Sequence, residues 1–310
     1  MSAPGGWPRL SLGCGNFGGI GSAPEFFGQG ATEQEAFALM DDALAAGIEW
    51  FDTADAYGGG ASERFIGRWL AARRPRRLLV TSKVFNPVGR DPADRGLAPA
   101  RIARALEASL ERLGVERIDL YLAHDTDPET PIGATVEAFE ALRARGLIAA
   151  WGLSNHGAAA IEAALAFGRP ALVQNSYSLL ERSDEDDVLA LCAAEQIAYV
   201  PYSPLAGGWL TGKYRRGQAF PAGSRMTMRP EPYAHLLAGR VFDGLDSLRA
   251  EAARRGVDIA TLAFAWVLSH PDVAGAVCGP ARPAQLAAVI AALELPLDAA
   301  ERERIGSFFT

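Results

Sequence analysis

Short, continuous apolar runs alternate along this chain with longer segments whose apolar residues recur every three or four positions. The runs are Leu10–Gly13, Glu49–Thr53, Leu78–Lys83, Leu120–His124, Ala150–Ser154, Ala171–Asn175, Ile197–Tyr202 and Gly275–Cys278. Helical patterns lie between them at about 63–71, 100–113, 132–145, 158–167 and 185–195. Another opens at Thr32-Glu33-Gln34-Glu35, spaced as a capping box, and continues through Phe37, Met40, Ala43 and Leu44 to Ile48. Apolar strands separated by amphipathic helices imply a parallel sheet covered by those helices. Eight strands in 310 residues predict a closed (β/α)8 TIM barrel rather than an open doubly wound sheet, with one domain over residues 1–310. A long segment at about 206–240 has little periodicity and is expected to be a mobile loop.

A barrel fixes in advance where a site would lie, because its βα loops converge on the C-terminal ends of the strands. Asp52, Lys83 and His124 close the second, third and fourth runs, and Tyr57 follows Asp52 in a Gly-rich loop. Singly, each reads as a turn residue or a surface group. Jointly, on neighbouring strands, they make a proton-transfer set. An ammonium beside a phenol is expected to lower the phenol's pKa, and a carboxylate paired with that ammonium holds it charged and in place. Tyr57 is then the acid, Lys83 its tuner and Asp52 the anchor, while His124 orients a carbonyl oxygen by a hydrogen bond. This set includes no activated nucleophile and no metal. A carbonyl protonated here still requires a hydride, which implies a nicotinamide cofactor.

Composition narrows the classes of partner. Hydrophobic residues at 49% and charged residues at 22% are ordinary globular usage. A net charge of −7 works against a nucleic-acid surface, and the densest basic run, Arg73-Arg74-Pro75-Arg76-Arg77, reads as a solvated helix end. Cys14, Cys192 and Cys278 are isolated and suggest neither a disulfide framework nor a zinc site. No stretch approaches 18 unbroken apolar residues, and Met1–Pro8 lacks the pattern of a secretory signal. The expectation is a soluble, cytoplasmic protein with no membrane or nucleic-acid partner; oligomeric state is left open.

Several short motifs in order make the chain similar to the aldo-keto reductase family from about Leu10 to its C-terminal helix. They are Phe51-Asp52-Thr53-Ala54-Asp55-Ala56-Tyr57, Thr81-Ser82-Lys83, Asp119-Leu120-Tyr121-Leu122-Ala123-His124, Trp151-Gly152-Leu153-Ser154-Asn155, Val173-Gln174-Asn175-Ser176-Tyr177 and Tyr202-Ser203-Pro204-Leu205-Ala206-Gly207-Gly208. The resemblance implies that Asp52, Tyr57, Lys83 and His124 are the family's catalytic tetrad. It further implies that Ser154, Asn155 and Gln174 hold the nicotinamide carboxamide and that Tyr202 stacks on the nicotinamide ring. Ser203, Pro204, Leu205, Ala206 and Gly207 match the loop lying over the pyrophosphate, Lys213 and Arg225 match positions that help hold phosphates, and the aperiodic segment at about 206–240 is expected to close over the cofactor. After the last strand Gly279 and Gln285 are kept. Ala281 stands where Ser, Thr or Arg is common, and Ala288-Val289 replace an acidic-amide pair. Arg282 could take a 2′-phosphate, so NADP(H) is expected in preference to NAD(H).

The implied substrate is a small aldehyde, ketone or sugar. Asn16, Phe17, Phe26, Phe27, Phe85, Asn86 and Trp209 are candidates to line the mouth, although each aromatic reads equally well as a packed loop anchor. Potassium-channel β subunits share the resemblance, which makes a cofactor-binding sensor the alternative; those subunits carry an amide where this chain has His124. A barrel lyase or isomerase is a third and weaker reading. His156, His235 and His270 are given no role.

Overall fold

The computed structural model describes residues 6–91 and 93–310; the first five residues of the expected 1–310 unit and Pro92 lie outside the described residues. The strands are β1 (Leu10–Gly13), β2 (Trp50–Asp52), β3 (Leu79–Val84), β4 (Ile118–Ala123), β5 (Ile148–Ser154), β6 (Leu172–Gln174), β7 (Ala198–Tyr199) and β8 (Ala276–Cys278). They form one eight-stranded sheet in the order β7-β6-β5-β4-β3-β2-β1-β8, and its neighbours are parallel. The two ends of that order meet: Ala274 N–H donates to Tyr199 O at 2.9 Å and Val277 N–H to Pro201 O at 2.8 Å. This is the (β/α)8 architecture expected from the apolar pattern.

Strand ends shift by a residue or two from the apolar runs, and the largest departure is β7, expected to reach Tyr202. Pro201 has no N–H to give to a ladder. The chain nevertheless stays extended beside β6, with Val200 N–H on Val173 O and Tyr202 N–H on Asn175 O, both at 2.9 Å.

The helices are α1 (Glu33–Ala45), α2 (Ala61–Arg73), α3 (Pro99–Leu113), α4 (Ile132–Ala144), α5 (Ala158–Leu165), α6 (Val188–Ala194), α7 (Arg225–Met228), α8 (Gly239–Arg255), α9 (Ile259–Leu268), α10 (Leu286–Leu293) and α11 (Ala299–Gly306). The Thr32–Glu35 capping box is formed at the start of α1. That helix stops before Ile48, which the helical period had included, because the chain turns at Gly47 with φ +82°. None of the described helices is long and apolar enough to cross a membrane.

Strand alternation separates two cores. Phe51 and Val80 join the large cluster between sheet and helices, whereas Trp50, Leu120, Leu122, Leu172, Val200 and Val277 pack together inside the barrel. Trp50 Nε1 donates to Thr81 Oγ1 at 2.8 Å across that interior. Because side chains alternate with a period of two, the inward set continues to Asp52 on β2, Lys83 on β3 and His124 just past β4. Register places Asp52 beside Thr81 and Lys83 beside Leu122. The barrel's packed interior therefore ends, at its C-terminal mouth, in ionisable groups.

The aperiodic segment at about 206–240 carries short helical turns. It contains 3-10 turns at Ala206–Thr211 and Glu231–Leu237 with α7 between them. Trp209 is fully buried beneath it, with ring centroids 4.9 Å from Tyr214 and 5.6 Å from Phe242. Trp209 thus anchors this segment rather than lining the mouth. Phe17 and Phe85 are buried in the same large cluster, which leaves Phe26 and Phe27 as the half-buried aromatics among the candidates.

Candidate active site

Lys83 is the centre of the site. Its side chain is 1% exposed, an arrangement an ammonium tolerates only with charge and hydrogen-bond partners. Lys83 Nζ donates to Asp52 Oδ1 at 2.5 Å and to Thr53 O at 3.0 Å, and it lies 5.2 Å from the Tyr57 ring centroid. Burial works to lower the Lys83 pKa, but Asp52 and then Tyr57 oppose it, and the net shift is upward. The ammonium stays charged throughout the working range.

Tyr57 corrects the expectation. Lys83 does pull its pKa down, but burial of the phenol is the larger effect, so the hydroxyl is held above its ordinary value. The resting group is a protonated phenol with a cation beside it. That state can give up a proton once a substrate oxygen gains negative charge, because the cation then stabilises the phenolate.

His124 faces Tyr57, with Nε2 3.4 Å from the phenol oxygen and the rings edge to face at 5.4 Å. Burial, reinforced by Lys83, pushes the His124 pKa down to about 3, so the imidazole is neutral near pH 7. Asn86 Nδ2 lies 3.4 Å from Nδ1. An amide nitrogen can only donate, so Nδ1 accepts and Nε2 carries the hydrogen. The assembled residues thus offer two O–H and N–H donors, Tyr57 and His124, to one acceptor at the mouth.

The candidates for the amide end of a nicotinamide lie directly beside this set. Gln174 Nε2 donates to Asp52 Oδ2 at 2.8 Å, which ties β6 to the buried ion pair. Asn155 Nδ2 donates to His124 O at 2.8 Å, and Asn155 Oδ1 accepts Tyr202 OH at 2.7 Å. Asn155 takes φ +60°, a left-handed conformation that Asn tolerates better than most residues. Ser154 is buried next to it, its Oγ 3.4 Å from Asn155 Nδ2.

The loop after β7 is shaped differently. Ser203, Ala206, Gly207 and Gly208 all have positive φ, at 56°, 46°, 62° and 93°, with Pro204 and Leu205 between the first two. Ala206 N–H donates to Ser203 O and Gly208 N–H to Leu205 O, both at 2.8 Å, which closes the loop on itself. Tyr233 lies so close to Gly207, and Lys213 Nζ to Gly208, that a Cβ at either glycine would collide with its neighbour. An exposed ammonium therefore stands over the loop. Arg225 opens α7 and is half-buried.

At the end of β8, Gly279, Ala281 and Arg282 are exposed. Gln285 Oε1 accepts both Ala281 N–H at 2.7 Å and Arg282 N–H at 3.1 Å, so this side chain organises the turn itself. A Cβ at Gly279 would meet open space.

Other supporting groups carried no signal in the sequence. Arg101, read only as part of an amphipathic helix, is 7% exposed and donates from Nη2 to Asn86 O at 3.0 Å. Glu63, fully buried, accepts Ser82 Oγ at 2.5 Å and Arg112 Nε at 2.7 Å behind β3. His156, given no role, is buried and braces Asn175, whose Oδ1 accepts His156 N–H at 3.2 Å and whose Nδ2 donates to His156 O at 2.9 Å. Such roles depend on contacts between strands far apart in sequence, which helical periodicity does not encode. The three cysteines are free and buried. No cluster of three or more metal-ligating side chains occurs among the described residues.

Comparison with known proteins agrees with this geometry. The model of the aldo/keto reductase family matches residues 9–308. The uncharacterized oxidoreductase YrpG of Bacillus subtilis is 36% identical over 290 residues, covering 88% of this chain and 86% of the relative. The NADH-specific methylglyoxal reductase of Escherichia coli is 32% identical, covering 91% of this chain and 89% of that protein. Among solved structures, the glycerol dehydrogenase AKR11B4 of Gluconobacter oxydans superposes with a TM-score of 0.83 at 29% identity, covering 97% of this chain and 90% of that one. With its eight parallel strands and its match to the family model from one end to the other, the chain belongs to the aldo/keto reductase family.

Proposed function

We propose that this protein reduces a small aldehyde or ketone, or oxidises the matching alcohol, with Tyr57 as the acid and base and NADP(H) as the preferred cofactor. The buried Lys83–Asp52 pair beneath the Tyr57 phenol is the observation that carries this reading. In the proposed assignment Gln174, Asn155 and Ser154 hold the carboxamide, Tyr202 flanks the ring, and the loop Ser203–Gly207 with Lys213 and Arg225 holds the phosphates. The chemistry of those groups fits: amides and a hydroxyl for an amide, and a left-handed loop with cations for a pyrophosphate. When bound, the reduced nicotinamide supplies the hydride.

The remaining chemistry belongs to the side chains. His124 Nε2–H donates to the substrate's carbonyl oxygen and fixes it near the Tyr57 hydroxyl. As that oxygen becomes an alkoxide, Tyr57 passes it a proton, and Lys83, held by Asp52, stabilises the resulting phenolate. Solvent then returns a proton to Tyr57; in the oxidative direction the same steps reverse.

Preference for NADP(H) rests on Arg282, which is exposed at the end of β8, carries a fork suited to a 2′-phosphate, and makes no ion pair among the described residues. Fluorescence titration with NADPH and NADH, followed by absorbance of the reduced cofactor with a panel of aldehydes, diketones and sugars, tests the reading. Binding with cofactor oxidation is expected, tighter for NADPH. Failure to bind either cofactor would overturn it, and tight binding with no turnover would favour a sensing role instead.

A further inference from the structure

Arg229 stands at the mouth without a partner. It follows α7 directly, is half-buried, and makes neither an ion pair nor a side-chain hydrogen bond among the described residues. Its guanidinium carbon lies 5.8 Å from the centroid of the Phe26 ring, which places the segment after β7 against the loop after β1. A Cβ at Gly21 would lie 3.7 Å from Arg229 Nη1.

Gly21 connects this cation to the chemistry. Its carbonyl accepts Gly58 N–H at 3.0 Å, next in sequence to Tyr57, and its N–H donates to Gly15 O at 2.7 Å. Gly15 in turn faces the Tyr57 ring, where a Cβ would lie 3.6 Å from the nearest ring carbon. Gly21 and Gly15 thus link Arg229 to the Tyr57 ring through backbone, and Phe26 packs beside the guanidinium.

Of the half-buried arginines among the described residues, Arg112, Arg182, Arg249, Arg255 and Arg302 pair with carboxylates and Arg9 donates to backbone carbonyls; Arg225 and Arg229 do neither, and Arg229 is the one set against Phe26 and Gly21. Partial burial strengthens its attraction for an anion, and its planar fork matches carboxylate or phosphate. The net charge of −7 offers such an anion no general attraction, so selectivity would have to come from this local group.

We propose that Arg229 is a specificity-determining residue that binds an anionic group, a carboxylate or a phosphate, at the end of the substrate remote from its carbonyl. The favoured substrates are then acid aldehydes or phosphorylated aldoses rather than their neutral counterparts. This inference rests on the reductase reading above.

The test compares wild type, Arg229→Met and Arg229→Lys on two matched pairs: 4-carboxybenzaldehyde against 4-methylbenzaldehyde, and glyceraldehyde 3-phosphate against glyceraldehyde. Arg229→Met is expected to raise KM at least about tenfold for the charged member of a pair, with the neutral member changed less than about twofold; Arg229→Lys should recover part of the loss. The pair that shows the effect distinguishes carboxylate from phosphate. NADPH affinity, followed by fluorescence on the same samples, should not change. Equal losses on charged and neutral substrates, or a loss of NADPH affinity, would overturn the proposal while leaving the reductase reading intact. No cofactor oxidation by wild type with any of the four aldehydes would remove the reductase reading and this proposal with it.

Discussion

The two ends of the barrel mouth are built on opposite principles. Around β2, β3 and β4 the polar groups are buried and satisfy one another: Lys83 with Asp52, Asp52 with Gln174, His124 with Asn86, Asn155 with Tyr202. Around β7 and β8, Lys213 and Arg282 reach into solvent, Arg225 and Arg229 are half-buried, and none of the four makes an ion pair among the described residues. The first end is held in place by its own contacts before any ligand arrives. The second is a set of uncommitted charges on turns, a form that suits closing on a ligand that brings its own negative charge.

This contrast predicts different failures at the two ends. Tyr57→Phe removes only a hydroxyl from the preorganised end, so kcat should fall by about 10²–10⁴-fold with cofactor affinity unchanged. Steady-state rates and a fluorescence titration on one sample check this; an equal loss of both would place Tyr57 in binding instead.

Lys83→Met leaves Asp52 buried beside an apolar chain, a loss of about 3–5 kcal/mol in unfolding free energy by denaturant titration. Any residual activity should show a shifted pH profile, because the phenolate has lost its cation.

Asp55 offers a pH-dependent comparison. It is fully buried two residues before Tyr57, neither carboxylate oxygen has a hydrogen-bond partner among the described residues, and Arg101 Nη1 is 3.8 Å away. Burial, then the charge of Glu63, raises its pKa to about 8 against the pull of Arg101 and Arg112. A carboxyl raised in the folded state keeps a proton that the unfolded chain releases. Its contribution to stability is therefore fully present near pH 4 and declines as pH rises toward 8. Asp55→Asn should flatten that decline, raising the melting temperature by several degrees at the upper end of the window and leaving it unchanged at the lower. Thermal melts across the window decide this, and a parallel downward shift of the whole curve would show that the carboxylate is needed as a partner for Arg101.

At the uncommitted end the effects are smaller and confined to the ligand. Arg282→Ala should weaken NADPH about tenfold without changing NADH affinity or stability, since the side chain holds nothing in the protein. Similar losses for both cofactors would reject a 2′-phosphate contact.

The smallest expected effect is at Asn86. Asn86→Leu removes the donor that sets the His124 tautomer, and kcat should fall a few-fold while KM for the cofactor is unchanged. Nitrogen chemical shifts of the imidazole would report the tautomer directly.

Much of this was legible in the linear pattern, and for a specific reason. A parallel barrel is written as apolar runs at regular spacing, so strand identity, strand order and the C-terminal location of Asp52, Lys83 and His124 all follow from local pattern and the period of two. Three things did not follow. The direction of the Tyr57 shift depends on how much solvent the fold removes, and no spacing of residues states that; proximity of Lys83 suggested the opposite sign. Trp209 could have faced the substrate or the core, because an aromatic in an aperiodic loop has no face until the loop packs. Arg229, Gly21 and Tyr57 are far apart in sequence, and only closure of the barrel brings the segment after β7 against the loop after β1. Local pattern therefore determined the scaffold and where its candidate groups stand, while burial and long-range contact, which exist only after folding, decided their protonation states and what else surrounds them.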